Sequence, residues 1–453
     1  MDYLDEVAGF VAGFPPDGLA PDALERTALI LADCIGAIAG GMHEPEMQAL
    51  VARPGLAAGG PAPIIGTARH AQPGQAALLN GTAGTVLEMD EGNQFARGHP
   101  GMHTVPAALA HASVLELSGR EVSGREFLTA IALGYEVGAR VGIASRLRPS
   151  LHPHGTWGAV CAAVAVARLA GRDAAGIRHA INMAASFALA NSRRTMLEGG
   201  TVRNAFAGIS GQMGLLAHDL SEAGFEADSD GLAEVFGKTL SDSFDKGQMT
   251  EALGSRWEVS RNYFKLHACC RYNHAALDAL AQIVAQEGAL EAGAVAEVEV
   301  ETYNLAVELA DPAPRNMLAA RFSVPFAVAT TIVTGRTDIS SFTAERLADP
   351  SIGALAGRVR LREDAAMTAQ LPDRRPARVT VTLSDGRRLT AATQTNRGDW
   401  ADPYPSEELR GKFLSLATRA WPETAADELW QRTTGLADCA TLRDWMAGLS
   451  APG

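Results

Sequence analysis

Helical periodicity runs through the first 255 residues almost without a break, which confines that part of the chain to packed helices. In PDALERTALILADCIGAIAGG, Leu24, Ala28, Leu31, Ile35 and Ile38 are spaced 4, 3, 4 and 3, one helical face. Pro21 suits the first turn of that helix, and Gly40-Gly41 is expected to close it. Ser123 and Glu126 form a capping-box pattern that opens FLTAIALGYEVGARVGIA. GTWGAVCAAVAVARLAG and GISGQMGLLAHDLSEAG are apolar nearly all round, so they read as buried helices. Aromatic residues are only 6% of the chain, while alanine and glycine abound. Small side chains let helix axes approach closely, so tight helix packing is expected.

The pattern changes after about residue 260. AVAEVEVETYN alternates Val298, Val300 and Thr302 with Glu297, Glu299 and Glu301, a strand with one wet face. ARVTVTLSDGRRLTAAT reads as a hairpin turned at Asp385-Gly386. Helices are expected at about 272–287 and 323–335. After residue 400 the chain is helical again, with Ser406 expected to cap SEELRGKFLSLATRAW. At 453 residues the chain exceeds what one core usually serves. The expected fold is therefore mainly α: a large all-helical domain, residues 1–260 plus 396–453, with a smaller α+β domain, residues 261–395, inserted.

Thirty-nine basic against 52 acidic residues give a formal charge of −13. A net-acidic surface argues against nucleic acid and against an anionic membrane as partners. It leaves a small anionic substrate open, provided the site gathers its own cations. The N-terminal stretch MDYLDEVAGFVAGF lacks the basic region of a signal peptide, and no long uncharged apolar run suggests a membrane span. Five cysteines, an odd number in a large chain, suit reduced thiols in a cytoplasm.

Four clusters carry side chains suited to chemistry. Residues 80–110 gather Glu88, Asp90, Glu91, Arg97, His99 and His103 around a loop that follows a helix ending near Met89. His99 and His103 have the i, i+4 spacing of metal ligands, but Pro100-Gly101 lies between them and no metalloprotease motif surrounds them, so no metal is expected. LHPHGTWG places His152 and His154 before a buried helix, whose amides could receive an anion. EGGTVRNAFAG holds Arg203 near a helix start, and arginine grips carboxylates bidentately. FKLHACCRYNHAALDAL holds Lys265, His267, Arg271 and His274, with Cys269-Cys270 read as small buried residues. A solvated loop, or an ordinary surface arginine, would explain any one of these clusters alone. GxGxxG, GxxxxGK[ST] and GxSxG patterns are absent, so dinucleotide, nucleotide-hydrolysis and esterase chemistry lack support.

Taken in order along the chain, these segments resemble the MmgE/PrpD family, which includes 2-methylcitrate dehydratase, cis-aconitate decarboxylase and iminodisuccinate epimerase. DCIGAIAGG, AALLNGTAGTVLEMDE, GHPGMHTVPAALA, ALGYEVGARVGIA, HPHGTWGAV, CCRYNHAALDAL, RFSVPFAVA and DPYPSEELRGKF carry the likeness. The resemblance implies a helical domain, a smaller α/β lid, a cleft between them, a homodimer and no cofactor. It also implies that His99, His152, Arg203 and Lys265 occupy the family's site positions. Two departures stand out: LEMDEG at 87–92 replaces the usual Leu-Asp-Phe-Asp-Asp-Thr, and Arg203 stands where the family has lysine.

The resemblance further implies a cofactor-independent lyase, a dehydratase that removes a proton α to a carboxylate of a small hydroxy-polycarboxylate. Epimerisation or decarboxylation of a related acid would use the same groups. A catalytically silent homologue with a binding role is the remaining alternative. Without a cofactor, such chemistry needs fixed cations for the developing enediolate and a base of near-neutral pKa. His99 and His152 are expected to move protons. Arg203, Lys265, His154 and Arg271 are expected to hold carboxylates. Lys265 is a second candidate base if its pKa is depressed, and Glu88 and Asp90 are expected to orient a histidine or receive the substrate hydroxyl.

Overall fold

A computed structural model describes residues 2–451 and shows a mainly α protein. At its centre four helices pack on one another: Pro73–Val86, Pro100–Leu117, Gly158–Leu169 and Ala205–Glu222. Small residues permit this. A Cβ added to Gly81 would sit 2.7 Å from the Gly208 Cα, so the first and last of these helices cross backbone to backbone. Helix Pro21–Met42 starts amphipathic, but from Ile30 to Met42 every residue is buried.

Gly40 and Gly41 do not end that helix; they lie inside its last turn. Their role is steric, since a Cβ on Gly41 would sit 1.9 Å from the Ala83 carbonyl oxygen of the neighbouring helix. Ser123 accepts from the Glu126 amide as expected, but the Glu126 carboxylate turns to Arg120, so only half of the capping box forms. Ser406 is the first residue inside helix Ser406–Ala417 rather than its cap, and Pro405 precedes it. That helix packs against Pro21–Met42, which brings the C-terminal segment back onto the helical body. Helix Gly124–Ala144 is long and apolar enough to cross a membrane by composition, yet 94% of its most apolar window is buried among the other helices.

The alternating segments form one four-stranded sheet in the order Arg388–Thr393, Ala377–Leu383, Val295–Thr302, Val359–Glu363. The first three strands are antiparallel neighbours, while Val359–Glu363 runs parallel to Val295–Thr302. The hairpin turns at Asp385-Gly386, with Gly386 at φ 90°, a conformation that favours glycine. Val298 and Val300 face the core; Glu301, expected to be wet, is buried and paired with Arg362 and Arg378. Helices Arg271–Glu287 and Val324–Thr334 cover the sheet's apolar face. The apolar residues thus fall into two main clusters. One is built on the helices, and one combines this sheet and its helices with Leu87, Met89, Met196 and Leu416.

Candidate active site

Irregular backbone builds much of the site, which draws its lining from two stretches of the chain, Glu88 to Arg203 and Tyr263 to Arg375. Helix Pro73–Val86 stops three residues earlier than the expected end near Met89. The chain then turns through Glu88 and Arg97, both in the left-handed region at φ 54° and 58°. Non-glycine residues are held there at a cost of about 1–3 kcal/mol each, and such strain concentrates at functional sites. Helix Pro100–Leu117 follows, with His99 as its N-cap residue.

His99 is fixed by its Nδ1, 2.6 Å from the Glu91 backbone oxygen and 3.0 Å from an Asp90 carboxylate oxygen. Both neighbours only accept, so Nδ1 carries a proton, and in the neutral ring Nε2 holds the lone pair. Burial would raise the Asp90 carboxyl, but His99 and Lys265 outweigh it and hold Asp90 well below the usual carboxylate range. His152 is fixed the opposite way. Its Nδ1 accepts the His154 backbone N–H at 3.0 Å, which leaves Nε2 as a donor in the neutral ring. Burial, reinforced by Arg203 and His99, pushes the His152 pKa well down, so the ring is neutral. The two histidines assigned jointly to proton transfer are therefore in opposite tautomers, and both line one cavity.

Glu88 pairs with Arg203 and with Lys265, whose Nζ lies 3.3 Å from Glu88 Oε2 and 3.4 Å from Asp90 Oδ1. All four groups are buried. Burial opposes the charge on Lys265, but Glu88 and Asp90 overcome it and raise its pKa. The condition for Lys265 as a base, a depressed pKa, is therefore not met; it is a fixed ammonium. Among the described residues His154 is fully buried with both ring nitrogens unpartnered, and its ring centroid lies 4.7 Å from that of His99 and 4.9 Å, edge-on, from that of His103. It does not line the cavity, so direct contact with substrate, as expected for a binding residue, does not follow from its position. Arg271 does line it, 4.1 Å over the Tyr263 ring.

Asp90, His99 and His154 present metal-ligating atoms within 4.8 Å of one another, whereas the i, i+4 partner His103 is not among them. The Lys265 ammonium beside Asp90 disfavours a dication there.

The cavity is strongly cationic. Arg97, Arg193, Arg203, Arg271 and Arg375 line it, and Glu88 is its only lining carboxylate among the described residues. Arg193 and Arg375 were not singled out from the sequence: each sits beside a second arginine in a polar loop, where solvated charge is the ordinary reading. Tyr263 and Gln94 were missed because nothing local marks them.

Residues 5–251 match the family model MmgE/PrpD N-terminal domain, and residues 267–436 match MmgE/PrpD C-terminal domain. The chain belongs to the MmgE/PrpD family. It is 24% identical over 456 residues to cis-aconitate decarboxylase of Aspergillus terreus, covering 95% of this chain and 92% of the relative. A cis-aconitate decarboxylase-like protein of Aspergillus oryzae is 26% identical over 446 residues, with 91% and 90% covered. Human cis-aconitate decarboxylase is 24% identical over 401 residues, with 84% and 80% covered.

Proposed function

We propose that this MmgE/PrpD protein is a cofactor-independent lyase that dehydrates a small hydroxy-polycarboxylate, acting as a cytoplasmic homodimer. The observation that carries the proposal is the pair of opposed histidine tautomers in a cavity rich in arginine. His99 Nε2, backed by the Asp90 carboxylate, is a base. It takes the proton α to a substrate carboxylate, and the electron pair left on carbon forms the double bond as the β C–O bond breaks. The departing hydroxide takes the proton back from the His99 imidazolium and leaves as water, so the enzyme returns to its starting state. Arg203 and the Lys265 ammonium supply the fixed positive charge that the enediolate needs. His152 Nε2–H donates a hydrogen bond to the same developing charge.

The named relatives favour a second reading, decarboxylation of an unsaturated tricarboxylate. There a carboxylate leaves as carbon dioxide, and the same cations stabilise the resulting carbanion until a proton donor quenches it. The test is to incubate the protein with 2-methylcitrate and with cis-aconitate and follow both by NMR. Loss of water from the hydroxy acid supports dehydration, and carbon dioxide release from the unsaturated acid supports the second reading. No turnover of either, in a folded protein, counts against both.

A further inference from the structure

The charges around the cavity do not balance. Among the described residues, five lining arginines, Arg97, Arg193, Arg203, Arg271 and Arg375, and Lys265, which pairs with Glu88 without lining the cavity, meet four carboxylates: Glu88, Asp90, Glu308 and Asp399. Burying charge without a partner is costly, so a surplus of two positive charges marks a place for anionic ligand groups. Among the described residues, Arg97 and Arg375 are the two cations without a carboxylate partner. Arg203 and Lys265 share Glu88 and Asp90 at the histidine pole. Arg271 and Arg375 are each only 4% exposed and are joined through one residue, Gln94. Arg271 Nη2 donates to its side-chain oxygen and Arg375 Nη2 to its backbone oxygen, both at 3.0 Å. Asp399 is the one carboxylate paired there among the described residues, on Arg271. Arg271 Nε and Nη1 and Arg375 Nε remain buried with no partner.

Buried guanidinium N–H groups are almost always satisfied, and unsatisfied ones in a cavity wall fit an absent acceptor. Tyr263 under Arg271 and Tyr272 near Arg375 hold the two planes in place. We propose that Arg271 and Arg375, tied together by Gln94, form a second carboxylate subsite, so that the site takes a substrate with at least two carboxylates and holds the remote one there. This rests on the reading of the histidine pole as the reacting end. It assigns Arg271 and Arg375 to specificity rather than to the chemistry.

The test is binding, not turnover, with unreactive probes. Calorimetry of the full chain would compare butanoate, butanedioate and propane-1,2,3-tricarboxylate. The unmodified protein should bind butanedioate at least about 10-fold more tightly than butanoate, the effect of one charge-assisted contact. Arg375→Gln should weaken butanedioate and the tricarboxylate by about 10–100-fold and leave butanoate within about threefold. The comparison of probes on the unmodified protein needs no variant, so it stands even if Arg375→Gln does not fold. No preference for the second carboxylate, or equal weakening of all three probes, would overturn the subsite. Selective binding without turnover would sink the proposed reaction and keep the subsite; turnover without selectivity would do the reverse.

Discussion

Asp90→Asn isolates the base from everything else in the site. The asparagine keeps the shape of the aspartate and can present its oxygen to His99 Nδ1, but it removes the charge that stabilises an imidazolium there. Asp90 is fully buried and lies 3.0 Å from His99 Nδ1. Between unit charges at that distance, with an effective dielectric near 20, the attraction is about 5.5 kcal/mol. Delocalised charge and the nearby Lys265 and Arg203 cations reduce it, so about 3–5 kcal/mol should be lost in the transition state. That is roughly a 10²–10⁴-fold fall in kcat, with KM changed little, because the lost charge acts on the imidazolium that forms in the transition state. The fold should survive, since Lys265 keeps Glu88 3.3 Å away. Steady-state turnover on whichever polycarboxylate the unmodified enzyme accepts, alongside a melting curve, makes the measurement. A kcat within about threefold of the unmodified enzyme in a variant that melts normally would refute the assignment of His99 as base.

Four further outcomes follow from particular contacts. His152→Gln keeps an N–H donor and should lose about 10-fold in kcat, whereas His152→Ala should lose about 10²–10³-fold; equal losses would mean that His152 does more than donate a hydrogen bond. Arg203→Lys keeps the charge but not the planar fork, so KM should rise with a smaller loss in kcat, while Arg203→Ala leaves Glu88 short of a cation and should be far worse; a lysine variant equal to the natural enzyme would make the fork irrelevant. Burial raises Glu91 from 4.5 to about 8, so between those pH values the folded state keeps a proton that the unfolded chain releases. Its contribution to stability is full below 4.5 and is lost as pH rises to about 8, at up to about 1.4 kcal/mol per pH unit. Glu91→Gln should flatten the melting temperature between pH 5 and 8, partly only, because Glu136 is raised to about 7 in the same direction; an unchanged slope would contradict this. Gly41→Ala should lower stability by about 1–3 kcal/mol through its clash with Ala83, while Gly13→Ala, with open space around it, should not; calorimetry of both variants checks the contrast.

Much of the architecture was legible because long periodic segments dominate the chain. The helices near 272–287 and 323–335, the strand of Val298 and Val300 and the hairpin at Asp385-Gly386 all rest on periodicity or turn chemistry that acts locally. The misreadings arose where tertiary packing overrode a local rule. Gly40-Gly41 looks like a helix stop, but the glycines serve a helix crossing that sequence spacing does not reveal. Glu301 looks wet by alternation, but Arg362 and Arg378, directly opposite it on the two neighbouring strands, pair with it and bury it. In the site, His99, His152, Glu88, Asp90 and Lys265 stood out by residue type and order. Their charge states did not. Lys265 is cationic because two carboxylates far away in sequence surround it, and the histidine tautomers depend on single backbone atoms of Glu91 and His154. Arg375 is nearly 300 residues from Gln94, the group that ties it to Arg271, so no motif could announce that pairing.

The central claim is that His99 removes a proton α to a substrate carboxylate. Its most direct test is turnover in deuterated water of the hydroxy-polycarboxylate the enzyme accepts, stopped early, with the remaining substrate examined by NMR. If His99 takes that proton reversibly, deuterium should enter the substrate only at the carbon α to the carboxylate, and His99→Gln should abolish both exchange and product. Full-rate exchange in His99→Gln, or exchange in the natural enzyme that stops with a chelator and returns with a divalent metal, would contradict the account.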